Sequence, residues 1–292
     1  MKLFDPNLPF IKGNTHMHTT MSDGQLSPEE ACAQYAAKGY DFVVVTDHRR
    51  VGPTRVQGDM LVMSGVEYDY TFDDQVLHLV AVLPDENAMG DADCRKMPHN
   101  EILRRVNAAG GAAILAHPAW SLNTTDFMLS LGEVCAAEVY NTVSGTPWNA
   151  PRADSSQALD VLCCAGRALP LVAADDSHFY GGEQCRSFTM VQAERREPGA
   201  IIAALKAGRF YASQGPRFGD VEVLADRMIV TTSPVRQVTF LSNLPWVGRR
   251  CRTGIGLTRE EYVFERRHGE RWVRVEIEDD AGRRAWLSPI VL

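Results

Sequence analysis

Along the first two-thirds of the chain, short apolar runs alternate with stretches of helical character. The runs are Phe42–Thr46, Leu61–Val66, Val76–Leu83, Ala112–Ala116, Val134–Tyr140 and Leu171–Ala174. Apolar, β-branched stretches of this length bounded by Gly and Pro predict buried strands. Between them, Ser27–Gly39 predicts a helix: Ser27 and Glu30 form a capping box, Pro28 suits the first helical position and Gly39 the left-handed stop. Further helices are expected at Asn100–Ala109, Ser155–Gly166 and Pro198–Ala207. Such alternation predicts a mostly parallel sheet, open or closed into a barrel.

After Phe218-Gly219 the pattern changes to apolar–polar alternation. It runs through Val221–Leu224, Arg227–Val230, Gln237–Leu241, Tyr262–Arg266, Trp272–Ile277 and Arg284–Leu287, separated by turn residues and without helical period. This predicts a small antiparallel β-domain of sandwich type over residues 219–292, following a larger α/β unit over residues 1–218.

Composition narrows the functional classes. The 292 residues are 45% hydrophobic and 23% charged, an ordinary soluble balance, and no apolar stretch is long enough to span a bilayer. Net charge is −7 and uneven: Gly219–Leu292 carries 12 Arg against 11 acidic residues, while the preceding part is net −8. An acidic main unit argues against an extended nucleic-acid surface. The seven cysteines (Cys32, Cys94, Cys135, Cys163, Cys164, Cys185, Cys251) form no CxxC pair, and the start of the chain lacks a signal-peptide pattern. A reduced, cytoplasmic protein is therefore expected.

The candidate chemistry lies in the histidines. Six of eight (His16, His18, His48, His78, His117, His178) fall in or just after the apolar runs, where strand ends build the active face of a parallel barrel. His16 and His18 have the spacing that turns two side chains to one side of a strand. Asp23 in Ser22-Asp23-Gly24 can fold back toward them, Glu67 closes the third run, and Asp176 and His178 repeat the spacing. Six imidazoles and three carboxylates exceed the needs of one ion, so two or three divalent cations (Zn, Mn or Fe) are expected. Cations sharing a water would lower its pKa and supply hydroxide near pH 7. Asp47 is expected to bond an imidazole N–H or else to cap a turn. Arg49, Arg50 and Arg186 are candidates for holding a substrate phosphate or carboxylate. Asn141 is a candidate substrate contact, Tyr180 part of a mobile lid, and Ser177 a poor nucleophile for want of a G-x-S-x-G elbow.

The motifs His16-x-His18-Thr19-x-x-Ser22-Asp23-Gly24, Thr46-Asp47-His48, Gly65-Val66-Glu67, Ala116-His117-Pro118 and Asp176-x-His178 resemble, in order, those of the PHP (polymerase and histidinol phosphatase) superfamily. The resemblance covers residues 11 to about 215. It implies a distorted (β/α)7 barrel with a di- or trinuclear site at the strand C-termini. It also implies that His16, His18, Asp23, His48, Glu67, His78, His117, Asp176 and His178 are all metal ligands. The stretch Gly208–Pro216 followed by a β-domain resembles a branch that includes stand-alone phosphoesterases and hydrolases of carbamate esters. The expected function is a metal-dependent phosphoesterase acting on a small phosphorylated molecule, such as a nucleotide or oligonucleotide end. The alternatives are a carboxylic-ester or carbamate hydrolase and a non-catalytic metal-binding module.

Overall fold

A computed structural model describes residues 1–72, 75–89 and 97–292 of the chain; Cys94 lies outside them. The main unit consists of β1 (Phe10–Asn14), α1 (Pro28–Ala36), β2 (Phe42–Val45), β3 (Arg55–Gln57), β4 (Met60–Phe72), β5 (Gln75–Val82), α2 (His99–Ala108), β6 (Ala112–Leu115), α3 (Thr125–Ser130), β7 (Ala136–Asn141), α4 (Ser156–Cys164), β8 (Leu171–Ala174), β9 (Phe188–Gln192), α5 (Pro198–Lys206) and β10 (Phe210–Ser213). The capping box of α1 is formed by both Ser27 and Glu30, and Gly39 follows the helix at φ +67°. Every residue of β2, β6 and β8 is buried, as continuous apolar runs require of strands covered on both faces.

The sheet is mixed rather than mostly parallel. β1, β2 and β4 are parallel neighbours, as are β6, β7 and β8, but β5 runs antiparallel to both β4 and β6. The reason is chain length. β4 ends at Phe72 and β5 begins at Gln75, too short a link for a crossover helix, so the chain must turn straight back.

The backbone ladder does not close on itself. β9 pairs with the first part of β1, while β8 ends the ladder. Beyond their ladders, β1 and β8 meet through a single parallel bridge between Met17 and Ser177, with Asp176 N–H donating to His16 O (2.9 Å) and His18 N–H to Ser177 O (2.9 Å). Between β8 and β9 a side chain replaces the ladder: the Thr189 hydroxyl accepts from Ala173 N–H (3.2 Å) and donates to Ala173 O (3.0 Å).

The C-terminal strands are β11 (Phe218–Val223), β12 (Arg227–Ser242), β13 (Cys251–Val263), β14 (Trp272–Glu278), β15 (Arg284–Trp286) and β16 (Ile290–Val291). All their pairings are antiparallel, and β15 pairs with β10, which makes the C-terminal strands continuous with the main sheet. The runs expected separately at Arg227–Val230 and Gln237–Leu241 belong to one long strand, β12, whose register against β13 shifts between Thr231 and Gln237. Of the run expected at Tyr262–Arg266, only Tyr262 and Val263 lie in a strand, as the end of β13, and Arg266 begins a short 3-10 turn. The buried Arg274 guanidinium on β14 grips Asp160 of α4 with two bonds (2.6 and 2.8 Å), and Trp286 stacks on Tyr140. Among the described residues, no helix is long and apolar enough to cross a membrane.

Candidate metal centre

The site grows from the extension of β1. The Asn14 amide donates to His16 O (2.8 Å), and the two-residue period buries His16 and His18 with their Nε2 atoms 3.2 Å apart. The chain then turns sharply. Asp47, just after β2, accepts from Thr19 N–H (2.7 Å), the Thr19 hydroxyl (2.7 Å) and the Ser22 hydroxyl (2.8 Å). Gly24 N–H donates to Thr19 O (2.9 Å), and a Cβ on Gly24 would lie 2.6 Å from the His18 backbone. Only glycine permits that approach. The turn brings Asp23 to 3.4 Å from His18 Nδ1, 3.6 Å from His48 Nε2 and 3.5 Å from His178 Nε2.

Glu67 stands at the middle. It lies within β4 rather than at its end, because the β4–β5 hairpin continues past it. One carboxylate oxygen is 3.2, 3.0 and 3.4 Å from His16, His18 and His48; the other is 2.7 Å from His78 and 3.5 Å from His117. The reversed direction of β5, which pairs His78 with Asp69 of β4, explains how a residue of this strand reaches the site beside Glu67. Asp176 Oδ1 lies 3.1 Å from both His16 and His18 Nε2, and its Oδ2 is 3.7 Å from His117 Nε2. His117 (φ +27°) and Asp176 (φ +54°) both occupy left-handed backbone, costing on the order of 1–3 kcal/mol each, which surrounding bonds must hold in place.

The nine residues form three overlapping groups, each with its donor atoms within 4.8 Å of one another: His18, Asp23, His48 and His178; His16, His18, Glu67 and Asp176; Glu67, His78 and His117. Their chemistry fits divalent cations. Asp176 Oδ1 is buried between two imidazole nitrogens yet makes no hydrogen bond, and buried His48 Nδ1 makes none either. Nitrogen and oxygen lone pairs converging without protons suitably aligned between them are what a cation of the Zn, Mn or Fe class accepts.

The electrostatics match. Burial disfavours the imidazolium of His16, His48 and His178, but nearby carboxylates outweigh it: chiefly Asp176 for His16, Asp69 for His48 and Asp23 for His178, whose pKa rises to about 9. Burial likewise opposes ionisation of Glu67 and Asp176, yet His16 above all holds both below the usual carboxylate range.

A surrounding layer fixes the donors. Buried Glu138 lies 2.8 Å from His16 Nδ1 and accepts from His117 N–H (3.0 Å) and the Asn141 amide (2.7 Å). Asn141 also donates to Asp176 (3.2 Å), so it orients this carboxylate. Asp69 Oδ1 lies 3.5 Å from His48 Nδ1, and Arg49 clasps the other Asp69 oxygen at 2.5 Å. Asp175, pushed up to about 7 by burial against its hydrogen bonds, accepts from the backbone of Cys185, Arg186 and Ser187. Glu183 accepts from the N–H groups of His178, Phe179, Tyr180 and Gly181 (2.6–3.2 Å).

These contacts bear on several expectations. Of the two roles expected for Asp47, its side-chain bonds are those of the turn, the one that carries Asp23. Arg49 is occupied by Asp69, Arg50 donates to Met21 O, and Arg186 donates to Gly182 O and lies over Trp148, so their bonds are internal. Tyr180 is pinned by its hydroxyl to His18 O (2.5 Å) and by Glu183, which does not suit a mobile lid. Ser177 is buried against Tyr35 and cannot reach a substrate. Glu138, Asp69, Glu183 and Trp120 escaped the sequence reading. Glu138 did carry a signal, since a carboxylate within a buried apolar run calls for partners.

A cavity of about 240 Å³ opens over the donors, lined by seven of them and by Trp120, Val143, Ser144, Asn149 and Phe179.

No protein-family model and no curated protein matches the sequence. Among solved structures, a protein from Bacteroides vulgatus superposes over nearly the whole chain, with a TM-score of 0.53 at 16% identity, covering 96% of this chain and 95% of that one. It is described as a two-domain protein containing a predicted PHP-like metal-dependent phosphoesterase. An amidohydrolase from Chromobacterium violaceum, with bound sulfate and no metal, aligns over 59% of this chain and 89% of its own at a TM-score of 0.41 and 16% identity. A proposed metal-dependent phosphoesterase from Bifidobacterium adolescentis aligns over 58% and 89% at 0.40, again with 16% identity. By fold, the chain is of one kind with the two-domain PHP-like protein of B. vulgatus.

Proposed function

We infer that the chain is a metal-dependent hydrolase, and specifically a phosphoesterase acting on a small substrate. The observation that carries this reading is the convergence of six imidazoles and three carboxylates into three overlapping donor groups beneath one cavity. We assign His16, His18, Asp23, His48, Glu67, His78, His117, Asp176 and His178 as ligands of two or three divalent cations. His18 and Glu67 each belong to two of the groups. β1, β2 and β4–β8 are the wall of a distorted (β/α)7 barrel with its seam at Met17–Ser177, residues 1–218 the hydrolase unit and 219–292 an appended β-domain.

When bound, the cations would generate the attacking nucleophile from water and polarise the ester oxygen. The chain's own part is to keep the donor set rigid: Glu138 holds the His16 imidazole, Asp69 places a carboxylate beside His48, Asn141 holds a carboxylate, and Asp47 holds the Asp23 turn. Gathering nine donors beneath one cavity is a poor match for a purely structural module, which needs only a closed, four-coordinate site.

One observation favours the second reading, a carboxylic-ester or carbamate hydrolase: among the described residues, neither Lys nor Arg lines the cavity. Phosphate sites usually recruit such cations besides the metal. Metal analysis followed by assays on p-nitrophenyl phosphate, bis-p-nitrophenyl phosphate and p-nitrophenyl acetate decides. Turnover of either phosphate is expected, and turnover of acetate alone would transfer the assignment to the second reading.

A further inference from the structure

The wall facing the donors gives the cavity a chemical preference. Trp120 stands edge-on to His117 (ring centroids 4.9 Å, 80°) and to His78 (5.6 Å, 65°), beside one donor group. Phe179 lies beside His178 (6.1 Å), a member of another group, and remains 46% exposed despite lining the cavity. Its position is set by backbone bonds: Phe179 N–H donates to Glu183 (2.7 Å), whose carboxylate also holds the three neighbouring N–H groups, so the ring sits on a rigid loop. Among the described residues of this wall, Val143 adds apolar surface, and the remaining polar groups, Ser144 and Asn149, are neutral. At about 240 Å³ the cavity falls below the roughly 300–1,000 Å³ of sites for larger ligands.

We propose that Trp120 and Phe179 are specificity-determining residues that select an ester bearing one planar apolar ring and no second anionic group. The proposal rests on the hydrolase reading above. Two aromatic side chains beside two different donor groups favour an aromatic substituent, whereas, among the described residues of this wall, a second phosphate would meet neutral polar groups and apolar rings. With an arylmethyl phosphate, water oxygen bonds to phosphorus, the P–O bond to the alcohol breaks, and the alcohol oxygen takes up a proton, leaving inorganic phosphate and the free alcohol.

The test compares benzyl phosphate with ethyl phosphate, which have similar leaving groups, and with fructose 1,6-bisphosphate, using the metal-loaded full chain. Calorimetric binding of benzylphosphonate against ethylphosphonate supplies a readout independent of turnover. The expected result is a benzyl-over-ethyl preference in kcat/KM of about tenfold, with a matching preference in phosphonate binding. Trp120→Ala and Phe179→Ala should each bring that ratio toward one, and Phe179→Leu should retain part of it. Equal use of benzyl and ethyl esters, a preference for the bisphosphate, or variants that weaken both esters equally would overturn the proposal. If no phosphate ester is hydrolysed, the phosphoesterase reading fails by itself. The same ratio is then read on benzyl and ethyl acetate, where a ratio near one overturns this proposal as well.

Discussion

Glu138 and His16, 122 positions apart in the chain, meet at 2.8 Å inside the protein, with neither exposed to solvent. The contact fixes which imidazole nitrogen is free: Nδ1 is engaged by the carboxylate, and Nε2 points at Glu67, Asp176 and His18. Because the same carboxylate also binds His117 N–H and Asn141, it positions the donors that follow β1 and β6 and, through Asn141 of β7, the Asp176 carboxylate.

Glu138→Gln keeps the side-chain shape but loses the charge facing His16. Metal affinity is expected to fall about 10–100-fold while thermal unfolding shows an intact fold. Competition titration with a chromophoric chelator measures it, and unchanged affinity would make Glu138 a packing residue only.

Gly24→Ala tests the turn that delivers Asp23. The added methyl would sit 2.6 Å from the His18 and Thr19 backbone, which cannot yield as a flexible side chain would. A destabilisation of about 1–3 kcal/mol, accompanied by loss of metal from the Asp23 group, is expected from denaturant melts and metal analysis.

Metal uptake should expel protons. At pH 8 the metal-free protein holds His178, with its pKa near 9, in the protonated form, and His16 is likewise held above its ordinary value. A cation needs neutral rings, so binding releases roughly one proton or more and affinity rises with pH up to about 9. Calorimetry in buffers of different ionisation enthalpy reads the release directly, and proton-neutral binding would contradict these assignments.

The attachment of the C-terminal strands rests in part on Arg274, 1% exposed at its side chain and bonded twice to Asp160. Asp160→Ala removes that partner and should cost about 3–5 kcal/mol, because a buried guanidinium then loses its main counter-charge. Metal content should be unchanged, since α4 contributes no donor.

Arg49→Ala and Arg186→Ala separate an anion clamp from an internal brace. Their guanidinium groups bond Asp69 and Gly182 O, so neither variant should raise KM for a phosphate ester. Arg49→Ala should instead weaken metal binding by freeing Asp69, which lies beside His48. Initial-rate kinetics paired with metal titration distinguishes the two roles.

The alternation of buried runs and helices was readable because strands covered on both faces must be continuously apolar, as in β2, β6 and β8. The α1 helix was readable down to its cap, since capping is a local bond between Ser27 and Glu30. The long β12 strand was not, because its register shifts interrupt the two-residue period that marks a strand. The nine candidate donors were nameable because each stands in a local motif of polar residues at or within an apolar run, and the structure gathers them under one cavity.

By itself, then, the sequence determined the buried runs of β2 and β4–β8 and the helices α1, α2, α4 and α5, and it marked the candidate donor side chains, because both follow from neighbours within a few residues. The tertiary structure alone decided that β5 runs backward and so lifts His78 into the cluster, that Glu138 braces His16, and that Arg49 and Arg186 bond Asp69 and Gly182 O. Those outcomes depend on which distant carboxylate or carbonyl reaches each group first. Such distances are set only when the strands pack side by side.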